Sequence, residues 1–482
     1  MNLWELVAKI PYRFVGNDRF CGEVSAVTTD CHKVTADTLF VCVRTPWRDG
    51  HEDALTAYEN GCRLFLAERS LAVGADATVL VTEDTAACLG AVAAKCYGHP
   101  ARELTVLGVT GSAGKSSVLD LTAALLRQCG EQVATIGSDG VTVGDLRYPR
   151  GNTLPDAAAL QRLLRELSAK GITVVLLELS TYMLAQKAHF SIPFTAVLLT
   201  GQEARMENAA AYLPNERFRE LQTALFTREV PVWILPDVGE VPSAPHGVRV
   251  LTFGERGMLS AKHLGDTDTD DGFFCRAAIT LDDGIKREIS LPVPGDFAII
   301  NCLAALALCR VVGIEPQRLL TEIERVRPKA HLECLGCYEG RYIYTDAGFS
   351  PAALERTLSL LRRRTVGKLT VLLGSVGGRT YARRAALGRV ATEVADLAYF
   401  TADDPDFEDP AAICAQMKAE ADPDRYVILP DRAHAIRRAV LELRPGDTLL
   451  LFGKGADRHQ LIDGSYHPFS EREIVEEAMR AF

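Results

Sequence analysis

The stretch that decides the fold of this chain is GVTGSAGKSS, which runs from Gly108 to Ser117. A short β-rich segment, residues 104–107, precedes it, and an apolar segment with helical spacing, residues 118–126, follows it. The sequence therefore predicts a strand, a glycine-rich loop and a helix in that order. Loops of this kind point backbone N–H groups at phosphate oxygens, and the helix N-terminus adds a partial positive charge.

Two side chains complete this candidate phosphate site. Lys115 is placed to reach the terminal phosphates of a nucleotide, and the Ser116 hydroxyl to bind Mg²⁺. The strict G-x-x-x-x-G-K-[ST] pattern is not met, because its first glycine would fall at Val109. The alternative is a Gly/Ser turn followed by a helix with an exposed lysine, but strand and helix flank the loop as the phosphate motif requires.

Length and composition limit the class of protein. A chain of 482 residues exceeds one ordinary core and indicates roughly two to four domains. Its 48% hydrophobic and 24% charged residues are typical of a soluble globular enzyme. The net charge of -10 argues against general nucleic-acid or membrane-surface binding. No segment approaches ~18 uninterrupted apolar residues, so no membrane span is expected.

The 13 cysteines show no paired framework, and the N-terminus has no apolar signal core. We therefore expect reduced thiols in a cytoplasmic protein. We also expect the protein to be a monomer. Cys334 and Cys337 form a C-x-x-C without a partner pair at zinc-site spacing. We interpret them as strand residues, with a redox or metal role as the alternative.

Strands and helices alternate along the chain, which predicts an α/β fold of three domains. Residues 1–98 form a small N-terminal α/β domain, and residues 99–328 a central P-loop domain with a mostly parallel sheet. Residues 329–482 form a doubly wound, Rossmann-like C-terminal domain. Within the central domain, the apolar strand 172–177 delivers Glu178 to its carboxyl end, where parallel sheets place ligand-binding groups. The acidic stretch Asp266 to Gly272 is predicted to be a hairpin tip.

Landmarks in a fixed order along essentially the whole chain resemble the Mur ligase family, in particular its third-residue-adding ligases. They are Asp49 to His51, Gly108 to Ser117, Asn152 to Asp156, Glu178 to Ser180, Leu225-Phe226, Gly295 to Phe297, Asn301 to Ala305, Asp346, Gly374 to Arg379, Asp403 to Pro405, Asp431 to Ala433, Gly453 to Gly455 and Phe469 to Glu473.

The resemblance implies ATP-dependent amide formation. In this family a substrate carboxylate attacks the γ-phosphoryl group of ATP to give an acyl phosphate, and an incoming amine then displaces phosphate. Charge develops on phosphoryl oxygens, so Mg²⁺ and fixed cations lower the barrier. The implied ligands are ATP, an amino acid, and a UDP-muramyl peptide or a related carboxylate. The first domain would bind the UDP substrate, the central domain ATP, and the third the amino acid.

Site residues follow by resemblance. Lys115 and Glu178 would be catalytic, with Ser116 and Glu178 as Mg²⁺ ligands. The residues assigned to ATP are Gly111, Ser112, Ala113, Gly114, Lys115, Ser116, Ser117, Asn301 at the adenine, Asp346 at the ribose, and His331. The residues assigned to the other substrates are Asn152, Thr153 and Ser180 for the UDP-sugar-peptide and Asp403, Asp406, Gly453 and Asp457 for the amino acid.

Several chemical positions depart from the family pattern. Ala113 replaces an asparagine of the loop, and Tyr182 stands where the family has a histidine. Gln222 stands where the family has a lysine that is carbamylated to bind metal. Asp406 replaces the arginine of the diaminopimelate pattern, which disfavours diaminopimelate because an arginine would pair with its carboxylate.

These departures leave three functions open. The first is a divergent ligase, and the second a catalytically impaired nucleotide-binding protein with a regulatory or scaffolding role. The third is a phosphotransferase, which the landmarks of the third domain disfavour. The sequence does not name the amino acid. Six basic residues are candidates to compensate for the lost metal ligands. The alternative for each is a solvated charge on the surface or on a helix face. They are Lys187, His189, Arg205, Arg379, Arg383 and Arg384.

Overall fold

A computed structural model describes residues 1–16, 23–45, 48–111, 114–137, 140–144, 146–148, 155–201, 215–239, 241–269, 272–291, 296–326, 332–378 and 381–480. Their strands form three main sheets that follow one another along the chain. Alternation of strands and helices along most of the chain confirms the predicted α/β class.

The first sheet is small and mostly parallel. Its order is β1-β7-β6-β3-β2, and within it β1 runs antiparallel to β7 while the other pairs are parallel. The elements of this part are α1 Leu3–Leu6, β1 Arg13–Gly16, β2 Ala26–Thr28, β3 Thr38–Val41, β4 Arg44–Thr45, β5 Arg48–Asp49, α2 Ala54–Glu59, β6 Leu64–Ala67, β7 Thr78–Val81 and α3 Thr85–Cys96.

A 3-10 helix, Pro100–Arg102, leads into the central part of the chain. The central elements are β8 Thr105–Thr110, α4 Lys115–Gln128, β9 Val133–Gly137, β10 Gly140–Val143, β11 Leu146–Tyr148, α5 Ala157–Ala169, β12 Val174–Glu178, α6 Thr181–Ala185, β13 Ala196–Leu199, α7 Asn215–Thr223, β14 Val232–Pro236, β15 Arg249–Gly254, β16 Leu259–Thr269, β17 Gly272–Thr280, β18 Lys286–Leu291, α8 Asp296–Val312 and α9 Pro316–Glu322.

The central sheet has a parallel middle and antiparallel edges. Strands β9, β12, β8, β13, β14 and β15 are parallel neighbours in that order. Strands β16, β17 and β18 continue the sheet as an antiparallel meander, in which 2 and 5 residues separate successive strands. Asp266 lies inside β16 and not in a turn, which corrects that boundary, and the hairpin tip itself falls outside the described residues.

The third sheet carries helices on both faces, which confirms the doubly wound prediction. Its elements are β19 Glu333–Tyr338, β20 Arg341–Asp346, α10 Pro351–Arg362, β21 Leu369–Leu373, α11 Tyr381–Val394, β22 Leu397–Phe400, α12 Pro410–Met417, a 3-10 helix Lys418–Glu420, β23 Tyr426–Ile428, α13 Arg432–Leu441, β24 Thr448–Phe452, β25 His459–Ile462, β26 Ser465–Pro468 and α14 Glu471–Met479. Helices α10 to α12 share one apolar cluster with the sheet, and α13 and α14 share another. Both cysteines of the C-x-x-C lie in β19, as predicted.

The first and second parts of the chain share one apolar core. A single cluster includes Leu39 and Leu64 of the first sheet, Val92 of α3, Leu160 of α5 and Val175 of β12. The boundary near residue 98 therefore separates two sheets, but these sheets share one apolar core. The domain boundaries at 98 and 328 stay predictions.

No helix in the described part of the chain is long and apolar enough to cross a membrane.

Candidate nucleotide and ligation site

Strand β8 lies between β12 and β13 and points its carboxyl end at the glycine loop. Glu178, the last residue of β12, is in register with Val109. The Thr110 hydroxyl donates to the Leu179 carbonyl at 3.1 Å, and the Leu179 N–H donates to the Val109 carbonyl at 2.8 Å. These bonds fix Glu178 beside the start of the loop.

Backbone conformation and lack of space both require glycine at two loop positions. Gly111 has φ 138° and Gly114 has φ 81°, which side chains rarely adopt. A Cβ on Gly111 would lie 2.0 Å from Thr200 Oγ1, and one on Gly114 would lie 2.7 Å from Asn301 Oδ1. The second contact places Asn301, on α8, directly against the loop, although the two are far apart in sequence.

Lys115 begins α4, and its charge faces the carboxylate at the end of β12. Its Nζ lies 3.9 Å from Glu178 Oε1 and donates to the Gly111 carbonyl at 3.1 Å. The Lys115 side chain is 17% exposed and the Glu178 side chain 4%, so the lysine stays within reach of a ligand while the acid is held by the sheet. The structure thus brings both predicted catalytic residues together.

Ser116 and Ser117 lie in the first turn of α4, where backbone N–H groups have no acceptor within the helix. Both serines are half-buried. A serine hydroxyl and a carboxylate are hard oxygen donors, the type that Mg²⁺ prefers. The donor set of Ser116 and Glu178 therefore fits Mg²⁺.

Ser180, predicted to contact the UDP-sugar-peptide, follows Glu178 closely and directly precedes α6. Its Oγ accepts from the Met183 N–H at 3.3 Å, so this hydroxyl also caps the helix. The predicted site residues that lie outside the described part of the chain are Ser112, Ala113, Asn152, Thr153 and His331, together with Arg205 and Arg379.

Asp346 ends β20, and its carboxylate is already engaged by the backbone. Oδ2 accepts from the Leu332 N–H at 3.0 Å, and Oδ1 accepts from the Gly348 N–H at 2.7 Å. The residue is 7% exposed. A ribose hydroxyl would have to bind in addition to these contacts, so the first role of Asp346 is to shape the turn that follows β20.

A buried lysine organises the predicted amino-acid region. Lys454 Nζ lies 2.7 Å from Asp404 Oδ1, 3.5 Å from Asp403 Oδ1 and 3.7 Å from Asp457 Oδ2, and the lysine side chain is fully buried. A Cβ on Gly453 (φ 123°) would lie 2.9 Å from Asp403 Oδ2. The structure therefore brings Asp403, Gly453 and Asp457 together, and their contact with the amino acid stays a prediction.

Lys454 and Asp404 lie within the family landmarks, but neither was among the predicted site residues. The signal lay in two loops that follow β22 and β24, because carboxyl ends of parallel strands meet at one sheet edge. Burial and the neighbouring Asp403 raise the pKa of Asp404. Burial acts to lower the pKa of Lys454, but the three carboxylates outweigh it and hold that pKa above its usual value.

Asp406 sits at the edge of the same region. Its φ is 50°, and its Oδ1 accepts from the Gly464 N–H at 2.9 Å, which ties the loop to the turn between β25 and β26. The Asp406 N–H donates to the Leu461 carbonyl at 3.0 Å. The position is thus held by a carboxylate where the family pattern has an arginine.

The described candidates for compensating cations serve other contacts. Lys187 pairs with Asp84, which caps α3. Burial lowers the pKa of His189 to about 4, so its ring is neutral near pH 7. Arg384 is buried and bonds Glu408 at 2.6 Å, and the Arg383 guanidinium lies 5.3 Å from the centre of the Phe349 ring.

Gln222, on α7, is 1% exposed. Neither atom of its side-chain amide has a hydrogen-bond partner among the residues that the structure describes. A neutral amide cannot form the carbamate that the family pattern places here.

Comparison with known proteins shows the family to which the chain is similar. The chain matches the Mur ligase middle domain over residues 109–309 and the "Mur ligase, glutamate ligase domain" over residues 332–455. The UDP-N-acetylmuramoyl-L-alanyl-D-glutamate–2,6-diaminopimelate ligase of Caldanaerobacter subterraneus is 27% identical over 486 residues, covering 99% of each chain.

Solved structures share the fold. A UDP-N-acetylmuramoyl-L-alanyl-D-glutamate–2,6-diaminopimelate ligase superimposes with a TM-score of 0.65 at 21% identity, covering 100% of this chain and 99% of its own. A MurF ligase of Thermotoga maritima in complex with ADP gives a TM-score of 0.59 at 18% identity, covering 95% and 97%. Because the two matched domains together span more than half of the sequence, the chain belongs to the Mur ligase family.

Proposed function

We propose that this protein is an ATP- and Mg²⁺-dependent ligase that joins an amino acid to a UDP-muramyl peptide. The observation that carries the proposal is the Lys115–Glu178 pair at the mouth of the glycine loop, 3.9 Å apart and next to the start of a helix. The proposal is supported by the similarity, over nearly the whole length, to ligases named for joining diaminopimelate to UDP-N-acetylmuramoyl-L-alanyl-D-glutamate. In this proposal the protein works as a cytoplasmic monomer.

The residues of the central site divide the work. The loop amides and Lys115 hold the β- and γ-phosphates, while Asn301, against Gly114, contacts the adenine. Ser116 and Glu178 would hold Mg²⁺. When bound, Mg²⁺ neutralises phosphate charge as the phosphoryl group is transferred.

Amide formation needs two displacements. An oxygen of the substrate carboxylate bonds to the γ-phosphorus as the bond to the ADP oxygen breaks. The nitrogen of the amino acid then bonds to the acyl carbon, phosphate leaves with the bridging oxygen, and the amine loses a proton. Lys115 remains beside the phosphoryl oxygens, where a fixed cation stabilises the charge that develops.

The amino acid differs from diaminopimelate in this proposal. Relatives are named for diaminopimelate, but Asp406 offers an acid where the family pattern has the arginine that would pair with a second carboxylate. Its Oδ1 already accepts the Gly464 N–H. Asp403 and Asp457 lie beside the same loop and add negative charge.

The test is amino-acid-dependent release of ADP from ATP. The full-length protein is assayed with Mg²⁺, UDP-muramyl dipeptide and each amino acid in turn, including diaminopimelate, with Lys115→Met as the inactive control. The proposal expects release that needs both the peptide and one amino acid other than diaminopimelate. Absence of such release in every combination rejects ligation, and release with diaminopimelate alone rejects the substrate assignment.

One observation favours a second function, a nucleotide-binding protein without ligation. Gln222 removes an anionic metal ligand that the family pattern supplies. That function expects ADP to raise the unfolding temperature of the wild type, with no turnover under any combination of substrates.

A further inference from the structure

A cavity of about 480 Å³ lies where the first part of the chain meets the central part. Its walls come from α1 and the residues after it, α3, the 3-10 helix Pro100–Arg102, α5 and residues 191–193. The volume is within the range of sites for small organic ligands. None of its lining residues belongs to the glycine loop or to the Lys454 region.

The rim of this cavity is basic in a chain whose net charge is -10. Lys9, Lys95, His99 and Arg102 line it, together with one acid, Glu229. Lys9 and Arg102 are exposed, while Lys95 and His99 are half-buried. Cations gathered at a concave surface raise the local concentration of anions.

A buried amide adds a second and independent feature. Gln161, on α5, lines the same cavity and is 1% exposed. Neither its Nε2 nor its Oε1 has a hydrogen-bond partner among the described residues. Buried polar groups in native proteins are nearly always paired, so an amide in this position requires an explanation.

The floor of the cavity is apolar. Leu6, Ile10 and Ile192 supply aliphatic surface to it, and Leu6 and Ile192 are buried. A ligand that fits all three features has a charged oxygen group, a hydrogen-bonding group and a small apolar body.

We propose that this cavity binds a small organic oxyanion, either a phosphate monoester or a carboxylate. Lys9, Lys95 and Arg102 hold its charge, the Gln161 amide hydrogen-bonds it, and the aliphatic floor covers its body. Because α1 and α3 belong to the first part of the chain and α5 to the central part, the ligand stabilises the contact between them. The proposal does not depend on ligase activity.

Binding is measured by titration calorimetry on the full-length Lys115→Met variant, so that the glycine loop does not capture the probe. The probes are phenyl phosphate, phenylacetate and the neutral benzyl alcohol. We expect one or both of the anions to bind, and whichever binds identifies the oxyanion class. Binding of neither anion, or of benzyl alcohol as tightly as the anions, overturns the proposal.

Variants locate the probe. Lys9→Ala with Arg102→Ala is expected to weaken binding of the anion by about tenfold, since two charge-assisted contacts are lost. Arg162→Ala is the matched control, because it removes a cation of α5 next to Gln161. Arg162 pairs with Glu166 one turn along the helix and is not a lining residue of the cavity. Equal weakening by both changes overturns the assignment.

Gln161→Leu separates a ligand contact from a packing role. Leucine leaves no unpaired amide, so the unfolding temperature without ligand is expected to rise while the anion binds more weakly. A ligand affinity that is unchanged in Gln161→Leu removes the amide from the site and overturns that part of the proposal.

The pH dependence of phenylacetate binding gives a readout that a structural role would not move. Burial and the nearby Arg102, Lys95 and Lys9 lower the pKa of His99. A bound carboxylate raises that pKa, so binding takes up a proton and tightens as pH falls below the usual histidine pKa of 6.5. His99→Gln is expected to flatten this dependence. An unchanged slope in His99→Gln contradicts the placement of the anion beside His99.

Discussion

Two lysines, each beside carboxylates at the carboxyl ends of parallel strands, are held in opposite ways. Lys115 lies 3.9 Å from Glu178 and its side chain is 17% exposed. Lys454 is fully buried, lies 2.7 Å from Asp404 and has two further carboxylates within 4 Å. The Lys115 ammonium is held loosely enough to move to a ligand. The Lys454 ammonium is fully engaged by carboxylates of the surrounding loops.

The difference shows that a cation in a predicted site need not be the group that meets the substrate. Lys454 fixes the loops after β22 and β24 against each other, since Asp403 and Asp404 lie in the first loop while Lys454 itself and Asp457 lie in the second. The same truncation at the two lysines should therefore give opposite results, with stability lost at one and activity lost at the other.

Lys454→Met is expected to have the largest effect on stability. Removing one partner of a buried ion pair leaves carboxylates without compensation, which costs about 3–5 kcal/mol. Urea unfolding followed by circular dichroism measures the loss. Lys418→Ala removes an exposed lysine of the same part of the chain and should change stability by less than about 0.5 kcal/mol. Near-equal stabilities of the two variants would show that the Lys454 cluster does not hold the loops.

Lys115→Met is expected to lower the rate of ADP release by about 10²–10³-fold, because a preorganised charge next to the phosphoryl group is lost. Its stability should stay within about 1 kcal/mol of the wild type, since one loose contact and one carbonyl bond are removed. Steady-state rates and urea unfolding are compared on the same preparation. A stability loss as large as that of Lys454→Met would erase the distinction between the two lysines.

The central site could be predicted because its signal is local. Strand, glycine loop and helix are contiguous, so Lys115, Ser116 and the glycines follow from one stretch of sequence. Glu178 follows from a second signal, an apolar parallel strand that ends on an acid. Asn301 came only from family resemblance, because nothing in its own helix shows that it faces Gly114.

The region around Lys454 could not be derived in the same way. Asp404 and Lys454 are far apart in sequence, and their pairing depends on which strands become neighbours. The shared core of α3 and α5 was also missed, because apolar helix faces do not state which partner they cover. The antiparallel meander β16 to β18 was also not predicted. Its strands are joined by short connections, and composition alone does not distinguish such connections from links to a new domain.

Gln222→Leu is expected to raise stability by about 1–2 kcal/mol, because leucine fills similar space without a buried amide that has no partner in the described part of the chain. Thermal unfolding measures the gain. The rate of ADP release should stay unchanged if the residue binds neither metal nor substrate. Gln161→Leu is the matched control, because it makes the same replacement of a buried amide outside the ligation site. Loss of activity in Gln222→Leu would assign Gln222 a role beside the phosphates.

The smallest predicted effect is a pH dependence of stability that has opposite signs at two acids of the third domain. Burial and Asp403 raise the pKa of Asp404, so the folded state takes up its proton first. Relative to Asp404→Asn, the wild type should therefore gain stability as pH falls toward 3.8, by at most about 1.4 kcal/mol per pH unit.

Glu408 supplies the opposite case for the same measurement. A hydrogen bond from Arg384 lowers the pKa of Glu408, although burial acts against it. Its stabilisation is complete above the ordinary value of 4.5 and is lost as pH falls through the lower folded pKa, so the wild type should lose stability relative to Glu408→Gln. Urea unfolding of both pairs between pH 7 and pH 3 compares them. If the stability differences of the two pairs change with pH in the same direction, the effect of Lys454 on the pKa of Asp404 outweighs the effects of burial and Asp403. The carboxyls of Asp404 and Glu408 would then be held in the same way.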